Sequence, residues 1–298
     1  IGIFAGFMLA CLICIHLNLF PEFQYFFAAA LVMFFLGMKD DILVISPIKK
    51  FIGQVIAAFL IIYKGGIQIT SMNGFLGVQE LPGMFSLLLT YFTVLVIINS
   101  FNLIDGIDGL AGTLGLIAAS VFGLYFLKAG IIPYAVLAFS LAGSLIAFLI
   151  FNFHPAKVFM GDTGSMLIGL VNAILVIKFI NTSAGPGASF PMAAAPAIGF
   201  TILLIPLLDT LRVFAIRMFH RRSPFSPDRN HIHHLMMDRG WSHNRITLTL
   251  ACFNIAFIVL AYTIRGVGCT WIIAGGITLF FTGIGVLYFN REPRLFVA

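Results

Sequence analysis

Long apolar stretches alternate with short polar segments along the whole 298-residue chain. Most of the stretches have about 15 to 24 residues, and a helix needs about 20 apolar residues to cross a bilayer. The pattern therefore predicts ten membrane-spanning helices. The third stretch is too short to cross a bilayer alone and must include residues that flank it. The predicted spans are Ile1–Phe20, Phe23–Met38, Phe51–Tyr63, Met84–Asn99, Leu110–Leu127, Ile131–Phe151, Ser165–Ile180, Ala195–Met218, Arg245–Tyr262 and Thr270–Phe289.

The composition agrees with this pattern, because 60% of the residues are hydrophobic, 9% are charged and the mean hydropathy is +1.07. We predict an all-α fold, a polytopic integral membrane bundle that forms one domain over residues 1–298. Polar and apolar residues alternate briefly in Ile67–Pro82 around Asn73-Gly74, which predicts a short hairpin on the outer surface. The chain begins inside an apolar stretch, so we expect one further N-terminal helix to be missing.

The basic residues are distributed unequally between alternate loops. One set of loops and helix ends carries thirteen Lys and Arg residues and the other carries four. The more basic side of a membrane protein usually faces the cytoplasm, so the pI of about 9.3 reflects orientation and does not indicate nucleic-acid binding. All eight aspartates fall on the same predicted cytoplasmic side: Asp40, Asp41, Asp105, Asp108, Asp162, Asp209, Asp228 and Asp238.

Each acidic motif on that side has an ordinary structural explanation when taken alone. Asp40-Asp41 could be a helix-end pair in water, Asn102-x-x-Asp105-x-x-Asp108 a capped helix start, and Asp162 an N-cap. Their recurrence on one side of one chain is not explained in this way. Because carboxylate and amide oxygens suit Mg²⁺ or Mn²⁺ better than Zn²⁺, the set favours a magnesium site.

The long basic loop contains His231-Ile-His233-His234 beside several arginines. The histidine spacing lacks the i, i+4 pair and the glutamate of the common helical zinc motif. We therefore favour a phosphate- or nucleotide-binding cluster over a zinc site. A solvated basic loop at the lipid headgroups remains the alternative.

Together these motifs resemble the polyprenyl-phosphate N-acetylhexosamine-1-phosphate transferases, the WecA/MraY group. The matching pieces are Asp40-Asp41, NLIDGIDGLAG at Asn102–Gly112, FNFHPAKVFMGDTGS at Phe151–Ser165 and SPFSPDRNHIHHL at Ser223–Leu235. The last piece is similar to the WecA-type branch, which uses UDP-N-acetylglucosamine. The resemblance implies Mg²⁺-dependent transfer of N-acetylhexosamine-1-phosphate from a UDP-sugar to undecaprenyl or another polyprenyl phosphate, with release of UMP. It also implies a bacterial inner-membrane protein with the site facing the cytoplasm, and a homodimer.

The resemblance implies roles for individual residues. Catalytic roles fall to Asp40, Asp41 and Asp162, with the first two serving the lipid phosphate. Metal ligation falls to Asp162 and Asn102. The implied substrate-binding residues are Lys50, Asp105, Asp108, Asn152, Phe159, Arg229, His231, His233 and His234, with Asn152 and Phe159 on the uracil.

Two other classes of protein compete with this interpretation. An ion-coupled transporter should carry its carboxylates near mid-membrane on broken helices, and here they lie in loops on one side. An intramembrane hydrolase would need a nucleophile or metal motif such as G-x-S-x-G or H-E-x-x-H, and the sequence has neither. For Asp209, the favoured role is pairing with Arg212 three residues later.

Overall fold

The computed structural model describes residues 1–183, 188–221, 223 and 230–289, and it is mostly helical. Arg229 lies outside the described residues, so its predicted role stays a prediction. The helices are α1 (Gly2–Cys14), α2 (Glu22–Ile42), α3 (Pro47–Phe59), α4 (Gly83–Ile104), α5 (Leu110–Lys128), α6 (Ile132–Asn152), α7 (Gly161–Ser183), α8 (Ala195–Ile202), α9 (Leu204–Phe219), α10 (Ile232–Met237), α11 (His243–Thr263) and α12 (Cys269–Phe289). A π-helical turn, Leu60–Lys64, extends α3, and a 3-10 turn, Arg265–Val267, precedes α12.

The predicted count of about ten spans is not confirmed. Among the described residues, six helices are long and apolar enough to cross a membrane, namely α4, α5, α6, α7, α11 and α12. A seventh span results if α8 and α9 are counted together. The helical fold and the multi-pass membrane character are confirmed. Helices α1 and α3 each have only 13 residues, which is short for a membrane span. For α3, the sequence had already indicated this short length.

Helix α7 forms the centre of the bundle. In its most apolar eighteen-residue stretch 94% of the residues are buried, compared with 22% in α12. Helices α2, α4, α5 and α6 all pack against α7, and the exposed surface of the bundle carries many large apolar side chains. Such a surface fits a lipid environment. Because α7 is enclosed by its neighbours, its first turn has a fixed position at one end of the bundle.

The hairpin is confirmed, but its turn lies three residues beyond the predicted position. Strands β1 (Ser71–Phe75) and β2 (Val78–Glu80) are antiparallel. The pair Phe75 and Val78 encloses Leu76 and Gly77, whose φ angles are both positive (50° and 80°), as a two-residue type I′ turn requires. Asn73-Gly74 instead lies where the strand register shifts.

The predicted span Ala195–Met218 is wrong as a single helix, because α8 and α9 meet at an angle of 79°. A sharp bend exposes backbone groups that hydrocarbon cannot satisfy. Asn254 on α11 meets this need, since its Nδ2 donates to Ile202 O at 3.0 Å and its Oδ1 accepts from Ile205 N at 3.4 Å. The hydropathy of this region does not reveal the bend, although Pro206, which has no amide hydrogen to donate, lies three residues after Leu203.

Replacing Asn254 with leucine should destabilise the protein. The side chain is fully buried, and its loss leaves two backbone groups unpaired, at a cost of about 1 kcal/mol or more. Thermal unfolding of the detergent-solubilised protein measures this as a lower melting temperature. Thr278→Val on the exposed face of α12, whose hydroxyl bonds only to its own helix, is the control. Equal melting temperatures for the two variants would contradict the role of Asn254.

Candidate active site

Four of the predicted residues converge at the N-terminal end of α7. The Lys50 ammonium on α3 donates to Asn102 Oδ1 at 3.0 Å, lies 3.2 Å from Asp40 Oδ2 and also contacts Asp162 Oδ2. Asn102 in turn donates to Asp162 Oδ1 at 2.8 Å and to Ser165 Oγ at 3.0 Å. Residues from α2, α3, α4 and α7 therefore form one polar cluster, as the motif positions predicted.

The oxygen atoms of this cluster are suited to a cation. Oxygens of two carboxylates and one amide all face the single Lys50 ammonium. Amide and carboxylate oxygens are also the ligands that Mg²⁺ accepts. A divalent ion could therefore bind Asp162 and Asn102 if the Lys50 side chain moved aside. Beside the cluster is a cavity of about 190 Å³ that Asp40, Lys50, Asn99 and Asn102 help to line.

Asp41 occupies a different position from its neighbour Asp40. Its carboxylate accepts from Asp162 N at 2.8 Å, from Thr163 N at 3.2 Å and from Thr163 Oγ1 at 2.6 Å. These are the unpaired amides that begin α7, and a carboxylate there is also favoured by the helix dipole. Gly161 permits this contact, because its φ is +64° and a Cβ would lie 2.7 Å from Asp41 Oδ2. The observed role of Asp41 is to hold the first turn of α7, and its catalytic role stays a prediction.

Asp105 lies directly after α4 and faces the same cluster. Burial, together with the smaller effect of the nearby carboxylates of Asp162 and Asp41, raises its pKa to about 7. In the absence of a metal ion the side chain is therefore mostly protonated below about pH 7 and mostly ionised above it.

Asp108 joins three segments of the chain. Its Oδ2 lies 2.7 Å from His154 Nδ1, 3.3 Å from His243 Nδ1 and 3.3 Å from Ala156 N. Burial alone would raise the pKa of Asp108, but the contacts with His154 and its other neighbours hold it below the usual range. The carboxylate is therefore ionised. Sequence reasoning missed both histidines, which are 46 and 135 residues away from Asp108 and belong to no spacing motif with it.

The two residues predicted to contact uracil differ in exposure. Phe159 is 77% exposed, so one face of its ring is available for stacking. Asn152 is buried, and its amide accepts from Gly109 N at 2.9 Å and donates to Val158 O at 2.8 Å. Asn152 thus ties the loop that carries Asp108 to the loop that carries Phe159, while its uracil contact stays a prediction.

The histidine cluster is anchored by Asp209. The pairing of Asp209 Oδ1 with Arg212 Nη2 at 2.8 Å is confirmed, but the carboxylate also contacts His231 Nδ1 at 2.8 Å and accepts from Ile232 N at 2.9 Å. The fully buried Asp209 therefore fixes the orientation of His231 at the start of α10, which the local pairing alone did not predict. His231 Nε2 lies 3.5 Å from Arg217 Nη2.

His233 brings this cluster against the acidic loop. Its ring is nearly parallel to that of His231, with the ring centroids 5.7 Å apart. The His233 ring also contacts Gly106, where an added Cβ would lie 2.2 Å from His233 Nε2. Any larger residue at this position would force the His233 ring to move. Burial lowers the pKa of His233 to about 3, so the ring is neutral. His234 is adjacent, with its ring centroid 4.3 Å from that of His233.

Comparison with known proteins agrees with the arrangement of these motifs. The sequence model of the family described as "Glycosyl transferase family 4" matches residues 23–180, which include the polar cluster around Asp162. Three curated bacterial proteins illustrate the similarity.

A decaprenyl-phosphate N-acetylglucosaminephosphotransferase of Mycobacterium leprae is 34% identical over 72% of this chain and 58% of its own length. An undecaprenyl-phosphate alpha-N-acetylglucosaminyl 1-phosphate transferase of Yersinia pestis is 32% identical over 87% of this chain and 70% of its own length. A protein of the same name from Escherichia coli O157:H7 is 31% identical over 80% and 65%, respectively. The chain thus spans little more than half the length of its mycobacterial relatives.

The protonation of Asp105 should make stability depend on pH. Between the pKa of 3.8 in the unfolded chain and about 7 in the folded protein, the folded state binds the extra proton, so its free energy of unfolding falls as the pH rises. Asp105→Asn should remove this slope, and its melting temperature should gain on that of the wild type between about pH 5 and pH 8. Thermal unfolding with a chelator present measures both proteins. Glu80→Gln in the exposed end of β2 is the control, and parallel curves for Asp105→Asn and wild type would contradict the assignment.

Proposed function

Because this chain belongs to glycosyl transferase family 4, we propose that it transfers N-acetylhexosamine-1-phosphate, and specifically GlcNAc-1-phosphate, from a UDP-sugar to a polyprenyl phosphate. UMP is the other product. The observation that carries the proposal is the convergence of Asp40, Lys50, Asn102 and Asp162 at one end of the bundle. The names of the relatives supply the N-acetylglucosamine and the polyprenyl phosphate, as undecaprenyl or decaprenyl phosphate.

The proposed cofactor is Mg²⁺, with Mn²⁺ as a substitute, held by Asp162 and Asn102. The donor set supports it, because the oxygens of these two side chains already face one positive charge, that of Lys50. A bound Mg²⁺ ion would neutralise diphosphate charge in phosphoryl transfer. Lys50 would then be released from Asp162 to meet a phosphate group.

The acceptor lipid has a charged head and a long apolar tail, and α4 offers a surface for each. Asn99 and Asn102 line the polar cavity, while Phe92, Thr93 and Val96 line an apolar cavity of about 340 Å³. The bent region of α8 and α9 forms the other side of this apolar cavity. We place the lipid phosphate beside Asp40 and Lys50 and part of the isoprenoid tail in the apolar cavity, which extends along α4 to Ser71 and Phe75 of the hairpin.

The nucleotide would lie on the opposite side of Asp162. Phe159 would stack on the uracil, and Asp105, Asp108 and the neutral His233 would line the sugar and phosphate region. Asp209 would act through His231 as a positioning residue. Arg229 and His234 belong to the same proposed surface by their places in the sequence.

In the proposed reaction an oxygen of the lipid phosphate attacks the β-phosphorus of the UDP-sugar. A new P–O bond forms, the bond between the β-phosphorus and the bridging oxygen breaks, and UMP leaves with that oxygen. A phosphate monoester has a second pKa of about 6, so it is already largely dianionic at neutral pH and needs no general base. Asp40 is therefore assigned to hold Lys50 and the acceptor phosphate in place, with Lys50 contributing positive charge along the line of attack.

The site is proposed to face the cytoplasm of a bacterial inner membrane, where a soluble nucleotide and a membrane lipid can meet. The thirteen basic residues on the side of the site support this orientation. Nothing in the described residues favours a transporter, because the acidic cluster lies at the end of the bundle. The homodimer stays a prediction.

The direct test incubates purified protein with Mg²⁺, undecaprenyl phosphate and a panel of UDP-sugars, and measures UMP release. We expect release with UDP-N-acetylglucosamine that depends on both the lipid and the metal ion. Release without the lipid would indicate hydrolysis, and no release with any UDP-N-acetylhexosamine would contradict the proposal.

Asp162→Asn should abolish metal-dependent turnover and leave the fold intact. The change removes the charged ligand of the proposed site but keeps a side chain of the same shape, so we expect UMP release to fall about 100-fold or more. Isothermal titration with Mg²⁺ should show weakened binding in the same variant. Glu80→Gln is the control, because it also replaces a carboxylate with an amide but does so at an exposed residue of β2. Wild-type turnover in Asp162→Asn would refute the metal assignment.

Asp40→Asn should lower turnover without weakening the binding of the UDP-sugar. Because its carboxylate contacts Lys50 at 3.2 Å and lines the polar cavity, its loss should lower turnover by about 10- to 100-fold with little change in UDP-sugar affinity. Turnover is measured by UMP release and affinity by titration with UDP-N-acetylglucosamine. An unchanged rate would reassign Asp40 to capping, since its Oδ1 also accepts from Ile45 N at 2.8 Å.

A further inference from the structure

Asp108, His154 and His243 form a second cluster of potential ligands, apart from the four residues around Asp162. Each comes from a different segment: the loop between α4 and α5, the loop between α6 and α7, and the first residue of α11. Their ligand atoms, Oδ2 of the aspartate and Nδ1 of both histidines, all lie within 4.8 Å of one another. Among the described residues, no other group of three His, Cys, Asp or Glu side chains converges so closely.

We propose that these three residues bind a transition metal ion of the zinc class. Imidazole nitrogens suit Zn²⁺ and its neighbours, whereas Mg²⁺ prefers oxygen ligands alone. The site would therefore take a different ion from the one proposed at Asp162 and Asn102. Metal binding by these three residues does not depend on the proposed reaction.

The separations of Asp108 Oδ2 from the two histidine nitrogens are close to those around one tetrahedral ion. Zinc bonds of about 2.0 to 2.2 Å place neighbouring ligand atoms about 3.3 Å apart. The observed separations are 2.7 Å from Asp108 Oδ2 to His154 Nδ1 and 3.3 Å from Asp108 Oδ2 to His243 Nδ1. Small side-chain movements would therefore admit the ion, with both histidines carrying their proton on Nε2.

The surroundings of the three side chains differ in a way that favours an ion. The His154 side chain is 45% exposed, which provides a path for an ion and room for a water molecule as fourth ligand. His243 Nδ1 is buried and lies 3.3 Å from Asp108 Oδ2, but the geometry of this ion pair is not that of a hydrogen bond. A metal ion would give this nitrogen a directional bond.

The alternative is a clamp made only of hydrogen bonds to Asp108. It accounts for His154 and for Ala156 N, which lies 3.3 Å from the carboxylate. For His243 it provides an ion pair at 3.3 Å but no hydrogen bond. The two explanations differ in a measurable way, because only the metal site predicts an ion whose affinity falls when either histidine is replaced.

The test is isothermal titration of the whole chain, purified in detergent and treated with a chelator, with Zn²⁺ in the presence of excess Mg²⁺. We expect one zinc ion per chain, and an affinity at least about tenfold lower in His154→Gln and in His243→Gln. His220→Gln is the matched control, because this exposed histidine near the same end of the bundle contacts only a backbone carbonyl of its own helix. Absence of zinc binding, or unchanged binding in both variants, would overturn the proposal.

A second measurement needs no variant, in case the substitutions impair folding. Co²⁺ is added to the chelator-treated wild type, and its visible absorption is recorded. Bands of a four-coordinate site with nitrogen ligands support the proposal, whereas the weak spectrum of Co²⁺ surrounded by six oxygens overturns it.

Discussion

The contact between Asp41 and the first amides of α7 fixes the geometry of the whole polar end of the bundle. Helix α7 is enclosed by apolar neighbours along its length, so its N-terminal turn is the only part that can present charged groups to the polar side. Asp41 reaches this turn from α2 and takes the amide protons of Asp162 and Thr163. From the turn that Asp41 holds, the Asp162 side chain meets Asn102 on α4 and Lys50 on α3.

Charge balance explains how so many ionisable groups coexist at this end. Each of these carboxylates, of which Asp209 is fully buried, has a specific compensation: Lys50 for Asp40 and Asp162, the helix amides for Asp41, and Arg212 with His231 for Asp209. Asp105 forms no ion pair among the described residues, and burial with the nearby carboxylates raises its pKa to about 7, so a proton neutralises it at lower pH. Buried ions are tolerated only with such partners. The acidic residues of one end are therefore not interchangeable, although they look alike in the sequence.

The sequence predicted the helical fold, the hairpin and the grouping of the acidic motifs, because hydropathy and the alternation of loops determine which segments share a membrane side. It could not predict features that depend on how helices pack. The bend between α8 and α9 leaves no trace in hydropathy, since Asn254, which stabilises it, lies some fifty residues later. Contacts between distant parts of the chain also set the different roles of Asp40, which pairs with Lys50, and Asp41, which binds the first turn of α7. The same holds for Asn152, whose buried amide binds Gly109 N.

The position of Lys50 has a thermodynamic consequence for any ligand of this site. Its ammonium already occupies the place between the oxygens of Asn102 and Asp162, so a divalent cation must displace a charge that the protein itself supplies. A phosphate that binds the displaced ammonium lowers the cost of that exchange. By linkage, each of the two ligands then increases the affinity for the other by the same factor, and the protein couples them through a single flexible side chain.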